Sequence, residues 1–211
     1  MIKMYSILEV IRMPRQGLNR DAVIQAALRL IEKQGMASFS MAELAKSLDV
    51  KTASLYNHIE SMDALFAEVG RCVINKMLEI EAQAIEGRHG DDALFSLALS
   101  YRAFAREHYE WYRILMSLVK TPNKLLEREA ERIVDPILKT LAEYGLDSTE
   151  RIHWQRVLRS VMHGFVMHEQ AGGFSHFPAD REESYRIAIR CVADGLRAAG
   201  KEGQNGQHGI I

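Results

Sequence analysis

The spacing of apolar residues predicts helices along almost the whole chain. In the first segment, residues 19–34, apolar side chains recur every three or four positions, which is the period of an amphipathic α-helix. Asn19 is a suitable N-cap for this helix, and Gly35 is suited to end it. Because no segment alternates apolar and polar residues as a strand does, the pattern predicts an all-α protein.

Two short helices follow, separated by a tight turn. Ser40 and Glu43 have the spacing of a capping box, in which each side chain binds the other residue's amide, so a helix is predicted over residues 41–47. Asp49, in the turn at residues 48–50, tolerates left-handed backbone geometry better than most residues. The second short helix is predicted over residues 51–58. A longer helix followed by two short ones is the layout of a helix-turn-helix module.

The rest of the chain is predicted to form longer helices separated by short breaks. They fall at residues 61–86, 91–108, 110–119, 123–144, 149–171 and 180–199. Ser148 or Thr149 is expected to cap the fifth of these, and Pro136 to kink the fourth. The predicted organisation is a flexible arm (1–18), a helix-turn-helix domain (19–60), a helical domain (61–199) and a disordered polar tail (200–211).

The composition is that of an ordinary soluble globular protein, with 47% hydrophobic and 26% charged residues. Cys72 and Cys191 share no disulfide or zinc-binding pattern, which favours a reducing, cytoplasmic location. No apolar run reaches the roughly 18 residues that span a bilayer, so no membrane partner is expected. Residues 1–12 lack the features of a signal peptide; they belong to a flexible arm or precede the true start, because Met13 could also begin the chain.

The charge distribution is compatible with a small nucleic-acid-binding head. The net charge of the chain is −1. Residues 1–58 hold eight basic and five acidic residues, a net charge of +3, which leaves −4 for the other 153 residues. The asymmetry is mild and would decide nothing without the helix-turn-helix pattern.

Residues 19–69 resemble the N-terminal domain of the TetR/AcrR family of regulators. The resemblance is carried in order by IQAA at 24–27, EKQG at 32–35, FSMAELA at 39–45, LDV at 48–50, LYNHI at 55–59 and LF at 65–66. Residues 101–174 look like a C-terminal domain of that family, through YRAFAR at 101–106 and HG at 163–164. The resemblance implies a three-helix helix-turn-helix domain joined to a helical domain that binds a ligand and forms a homodimer.

Three positions depart from the family's usual pattern. Asp49 stands where glycine is usual in the turn, and Ile59 replaces a larger phenylalanine in the core. Met62 stands where a lysine commonly contacts a phosphate, so one contact to the DNA backbone is expected to be missing. These departures bear on the affinity for DNA more than on the family.

The second short helix is predicted to read DNA, because in a helix-turn-helix its N-terminal residues face base edges in the major groove. Lys51 can donate to guanine, Thr52 and Ser54 can serve either type of base, and the Ala53 methyl can meet a thymine methyl. The other predicted DNA contacts, several of them to phosphates, are Arg15, Arg20, Ser40, Tyr56, Asn57 and His58.

Two alternatives stand beside this interpretation. Lys51 and Thr52 could form a solvated helix start with no partner, and Tyr56 could pack against the first helix. If the module does read DNA, it offers too few base contacts for specificity by itself. A two-fold dimer on a palindromic double-stranded operator is therefore expected.

By resemblance, the last two helices form the dimer interface and the middle helices enclose a ligand cavity. Gly164 agrees with close packing between helices, although a glycine tolerated inside a monomer core is the alternative. The order of the helices suggests a cavity suited to an apolar or aromatic effector with one or two polar handles. Its predicted lining is Phe104, His108, Trp111, Leu115, Trp154, Leu158 and Met162.

Metal binding and catalysis have no support in the residue pattern. His163 and His168 are five residues apart and do not share a helix face, so no metal site is predicted. The chain lacks GxSxG, P-loop and dinucleotide-binding motifs, which predicts neither an enzyme nor a cofactor. Two other classes stay open: a small-molecule-binding helical protein whose module has lost DNA binding, and a protein–protein adaptor. The favoured function is a ligand-responsive repressor, released from its operator by a small-molecule inducer.

Overall fold

The structure, a computed structural model, describes residues 18–118, 126, 129 and 131–206, with side chains as far as Lys201. All regular structure in these ranges is helical, which confirms the predicted all-α class. The α-helices are α1 (Arg20–Gln34), α2 (Met41–Ser47), α3 (Thr52–Leu55), α4 (Met62–Ile85), α5 (Gly90–Glu107), α6 (Tyr109–Leu118), α7 (Asp135–Leu141), α8 (Ser148–Gln170) and α9 (Arg181–Gly206). None of the described helices is long and apolar enough to cross a membrane.

Local capping determines where the first helices begin. Asn19, Ser40 and Ser61 each accept a hydrogen bond from the amide three residues further on, at 2.8, 3.1 and 3.0 Å. Asp49 has a φ of 54°, the left-handed geometry expected of the turn between α2 and α3. Local interactions therefore define the starts of α1, α2 and α4, whereas Lys51 at the start of α3 makes no side-chain capping bond.

The N-terminal module and the larger helical body share a continuous core. Ile31 of α1, Leu44 of α2 and Leu55 of α3 are fully buried. α1 packs against both α4 and α6, so the module rests on two helices of the body. Within the body α5 is central, because it contacts α4 and each of α6 to α9.

Two helix boundaries in the body differ from those that the sequence suggested. The cap of α8 is Asp147, and not Ser148 or Thr149: its carboxylate accepts from the Thr149 and Glu150 amides at 2.7 and 2.8 Å. The Asp147 amide donates in turn to the Glu150 carboxylate, which completes a capping box. Pro136 lies in the first turn of α7, where its missing N–H costs nothing, and not within one kinked helix.

The last helix is longer than predicted. α9 continues to Gly206, whereas the sequence placed its end at residue 199 and a disordered tail from residue 200. Gly200 is buried, and a Cβ there would lie only 1.8 Å from the Tyr144 carbonyl oxygen. This close approach of two backbones is a long-range contact between α9 and the end of the 3-10 turn at residue 144. Residues 207–211 of the predicted tail lie outside the described ranges.

A buried arginine joins three helices of the body. The Arg102 guanidinium on α5 donates to both carboxylate oxygens of Glu169 on α8, at 2.9 and 2.7 Å. It also donates to Glu182 on α9 at 2.6 Å, and it lies over the rings of Phe165 and Tyr185. Because Arg102 is only 3% exposed, these partners offset the cost of taking its charge out of water.

Candidate DNA-binding surface and ligand cavity

The start of α3 presents the predicted base-reading residues to solvent. Lys51 is the N-cap of the helix, and its side chain is exposed together with those of Thr52 and Ala53. Ser54 is partly buried, and Leu55 anchors the helix in the core. The α-helix itself is shorter than predicted and is followed by turns over residues 56–58.

The residues after α3 are also accessible. Tyr56 is 50% exposed, Asn57 is exposed, and His58 is partly buried. Half-exposure of the Tyr56 ring leaves it able to touch a phosphate beside the helix. These three side chains follow directly after α3 in the chain.

The remaining predicted DNA contacts have other partners or lie elsewhere. Ser40 uses its hydroxyl to cap α2, which leaves the same oxygen free to donate its own proton. The Arg20 side chain is 58% exposed and donates to Glu68 on α4 at 2.9 Å. Glu68 also pairs with Arg71, so Glu68 would keep a cationic partner if Arg20 left it to contact DNA. Arg15 lies outside the described residues.

The seven residues predicted to line a ligand cavity are found in three different places. Phe104, Leu115, Leu158 and Met162 are core side chains, at most 2% exposed. His108 and Trp111 stack at the boundary with α1, with ring centroids 4.5 Å apart. Trp154 faces α9, where a Cβ on Gly195 would lie 2.4 Å from its ring. A role for these residues in ligand binding stays a prediction.

A cavity of about 380 Å³, open to solvent, lies along α8 beside Met116 of α6, next to this core. Arg156 and Ser160 at this cavity are exposed. The cavity is lined by Met116, Gln155, Arg156, Arg159, Ser160 and His163. Four of these residues belong to the more polar flank of α8, adjacent to the buried stripe that contains Leu158 and Met162. The sequence pattern did not indicate this cavity, because most of its lining residues are polar or charged and the predicted lining was mainly apolar.

A chain of hydrogen bonds leads from the cavity into the body. His163 Nδ1 lies 2.5 Å from the Tyr112 hydroxyl, which lies 2.9 Å from the Tyr101 hydroxyl. Burial lowers the pKa of His163, and the nearby positive charge of Arg159 lowers it further. A neutral His163 therefore faces the cavity at neutral pH.

Glu81 on α4 lies near the inner end of this chain. It is 1% exposed, and neither carboxylate oxygen has a hydrogen-bond partner among the described residues. Burial raises its pKa to about 8, against a smaller opposing effect of Arg159. The sequence contained a signal for this residue, because an acid four residues after Met77 interrupts the apolar stripe of an amphipathic helix.

The boundary between the module and the body contains three polar contacts from one end of α6 and the residue before it. His108 Nδ1 lies 2.5 Å from the Glu32 carboxylate, and the Trp111 indole donates to the Leu28 carbonyl at 3.3 Å. Glu110 accepts from the Met36 amide at 3.2 Å. In the part of the chain that the structure describes, no three His, Cys, Asp or Glu residues cluster so as to hold a metal ion.

Two family models match the chain over most of its length. Residues 23–69 match the model described as bacterial regulatory proteins of the tetR family. Residues 94–192 match the model described as a tetracyclin repressor-like C-terminal domain. The boundary between the two matches falls in and after α4, which connects the module to the body.

Individual relatives agree with the family models. An uncharacterised HTH-type transcriptional regulator of Bacillus subtilis, YobS, is 34% identical over 184 residues, which is 87% of this chain and 95% of that protein. Among solved structures, a protein of unknown function from Rhodococcus sp. RHA1 has a TM-score of 0.77 at 18% identity, over 88% of this chain and 99% of that one. A TetR variant from Acinetobacter baumannii AYE in complex with minocycline has a TM-score of 0.63 at 21% identity, over 86% and 98%.

Proposed function

The chain belongs to the TetR family of DNA-binding transcriptional regulators, and on that premise we propose that it is a cytoplasmic, ligand-released repressor. In this proposal a homodimer binds a palindromic operator, and a small molecule bound in the helical body releases it. The observation that carries the proposal is the exposed start of α3 on a module fastened to a body that contains a cavity. Repression is favoured over activation because blocking a promoter needs no further contacts.

In the proposed complex, α3 enters the major groove. Lys51, Thr52 and Ala53 are free to meet base edges, since none of them is buried by its own chain. Tyr56 and Asn57 are suited to contact phosphates, which fixes the register of the helix. The accessibility of this surface supports the predicted contacts.

A second copy of the chain is proposed to pack against α8 and α9. Ile152, Val157 and Met167 on α8 and Ile187 on α9 are 40 to 49% exposed. A Cβ added to Gly164 would meet no described atom within 4 Å, so the glycine is not explained by packing inside a monomer. Val157, Gly164 and Met167 share a face of α8, because seven and ten residues are about two and three helical turns. A face that consists of these residues and Ser160, with a glycine near its centre, suits close packing of two helices, and it borders the cavity.

Helix α6 is proposed to couple the cavity to the DNA-binding module. Its Met116 lines the cavity and its Tyr112 binds His163, whereas Trp111 and Glu110 bind α1 and the turn after it. A ligand that shifts α6 would therefore change the position of α1 relative to the body. A coupling of about 1–3 kcal/mol, typical of allosteric proteins, would change operator affinity roughly 5- to 150-fold.

Fluorescence anisotropy with a labelled duplex from the DNA flanking the gene tests this proposal. The affinity of the wild-type protein should fall steeply with salt, with a slope of about −0.9 per phosphate contacted. The double variant K51A/T52A should bind at least about tenfold more weakly, since each lost base contact costs about 1–3 kcal/mol. The variant K139A/T149A, altered at exposed positions of α7 and α8, is the matched control. Binding that is insensitive to both salt and K51A/T52A would contradict DNA reading by α3.

A further inference from the structure

The cavity between α6 and α8 has an unbalanced positive charge. Two of its six lining residues, Arg156 and Arg159, are cations, and none is an acid. Within the described ranges, neither guanidinium has a carboxylate within 4.0 Å, whereas six of the eleven other described arginines of the body do. Those with such a partner are Arg71, Arg88, Arg102, Arg113, Arg186 and Arg197. Two unpaired cations at one cavity leave room for an anionic partner.

A chain of hydrogen bonds behind the cavity ends at His163 on its wall. The Tyr101 and Tyr112 hydroxyls lie 2.9 Å apart, and the Tyr112 hydroxyl lies 2.5 Å from His163 Nδ1. Either tyrosine can be the donor of the first bond, and the tautomer of His163 sets the direction of the second. Because burial and the charge of Arg159 lower the pKa of His163, its neutral ring carries one N–H donor, and the positive charge at the cavity comes from the two arginines.

The buried acid nearest this chain does not cancel the positive charge. Glu81 is the only buried acid in the described ranges, and burial keeps it mostly protonated at neutral pH. Arg159 therefore faces the cavity without a neutralising carboxylate on its inner side. The electrostatic environment of the cavity is set by Arg156 and Arg159.

We propose that this cavity binds a small organic carboxylate, whose anionic group is held by Arg156 and Arg159 with Gln155, Ser160 and His163 as neighbouring hydrogen-bonding groups. The thioether of Met116 provides an apolar contact for the body of the ligand. The volume of about 380 Å³ is at the lower end of the roughly 300–1,000 Å³ range of small-molecule sites, which favours a compact ligand. The inference rests on the proposed function in one respect: this ligand would be the effector that releases the operator.

Calorimetric titration of the full-length protein with matched pairs of acids and amides tests the charge requirement. The probes are phenylacetate, indole-3-acetate and octanoate, each compared with its primary carboxamide, which keeps the shape but loses the charge. At least one carboxylate should bind about tenfold or more tightly than its amide, since a hydrogen bond to a charged group contributes about 1.5–3 kcal/mol. Equal affinity for acids and amides, or no binding by any carboxylate, overturns the proposal.

Variants of the two arginines locate the bound carboxylate. R159Q and R156Q should each weaken carboxylate binding about tenfold, and R159K should retain part of it. The control R132Q removes an exposed arginine that is not part of the cavity and should bind as the wild type does. Thermal melts establish that each variant is folded. Unchanged carboxylate affinity in both R156Q and R159Q would contradict the assignment of the site.

Two further measurements separate this inference from the proposed function. Sedimentation of R156Q and R159Q reports whether the arginines face a second copy of the chain. If these variants dissociate the dimer and the wild type binds no carboxylate, the arginines belong to the interface and the proposal is overturned. The measurement of operator binding is then repeated in the presence of the carboxylate that the wild type binds. A carboxylate that binds without releasing DNA keeps the cavity chemistry and contradicts its role as effector. An uncharged molecule that releases DNA, when no carboxylate binds, supports repression and overturns this inference.

Discussion

Glu81 illustrates how one side chain can make the stability of the whole protein depend on pH. Its carboxyl is fully buried, lacks a hydrogen-bond partner among the described residues, and has a pKa raised to about 8 from the usual value of 4.5. The folded state therefore holds a proton that the unfolded state releases. The free energy of unfolding should fall as the pH rises from about 4.5 to about 8, because ionisation is more costly in the folded protein.

Replacing Glu81 with glutamine should remove most of this dependence. The amide has nearly the same shape but never ionises, so E81Q is expected to be more stable than the wild type at pH 8.5 and similar to it at pH 5. Urea unfolding at the two pH values measures the effect, and E86Q at the exposed end of α4 is the control. A wild-type stability that does not fall across this range, or that falls equally in E81Q, would show that Glu81 is not the titrating group.

At the scale of single elements, Arg102 makes α5, α8 and α9 depend on one another. R102A would leave Glu169, which is largely buried, without its cation, and breaking a buried ion pair costs about 3–5 kcal/mol. R186A removes a more exposed partner of Glu182 and should cost about 1 kcal/mol or less. The difference between the two variants in urea unfolding is the prediction. Equal small losses would mean that Arg102 contributes no more than a surface pair.

The elements also show which features can be predicted from sequence. Caps at Asn19, Ser40 and Ser61 act within three residues, so the starts of α1, α2 and α4 were predicted to within one residue. Gly200 of α9 meets the backbone of Tyr144, a contact between distant residues that no local sequence pattern predicts. Local interactions are readable in the sequence, whereas contacts between helices are not.

The cavity between α6 and α8 was harder to predict for a related reason. An apolar stripe identifies the buried side of a helix, and Leu158 and Met162, which were predicted from it, are fully buried in the core. Their role in ligand binding stays a prediction. The cavity uses Arg159 and His163, one residue further along, which is a rotation of about 100° around α8. Sequence pattern alone cannot tell which side of a stripe is left unfilled, because this depends on how α6 packs beside α8.

At the scale of the whole molecule, the proposed dimer couples the outer face of α8 to DNA binding. A charge placed in that face, as in M167E, should favour the monomer because the carboxylate would be desolvated in the interface. The same protein should lose tight operator binding, since one module offers few base contacts. A82E, at an exposed position of α4, is the control, and sedimentation velocity measures the mass. A dimeric M167E with unchanged operator affinity would place the interface elsewhere.

The most direct test of the central claim is selection of binding sequences from random duplex DNA at two salt concentrations, with wild-type protein and K51A/T52A. The account predicts that the wild type enriches a palindrome whose half-sites lie about one helical turn, roughly 34 Å, apart, with weaker enrichment at high salt. K51A/T52A should lose this sequence, and K139A/T149A should retain it. No enrichment at either salt concentration, or the same palindrome enriched by K51A/T52A, would contradict the assignment of α3 as the helix that reads the operator.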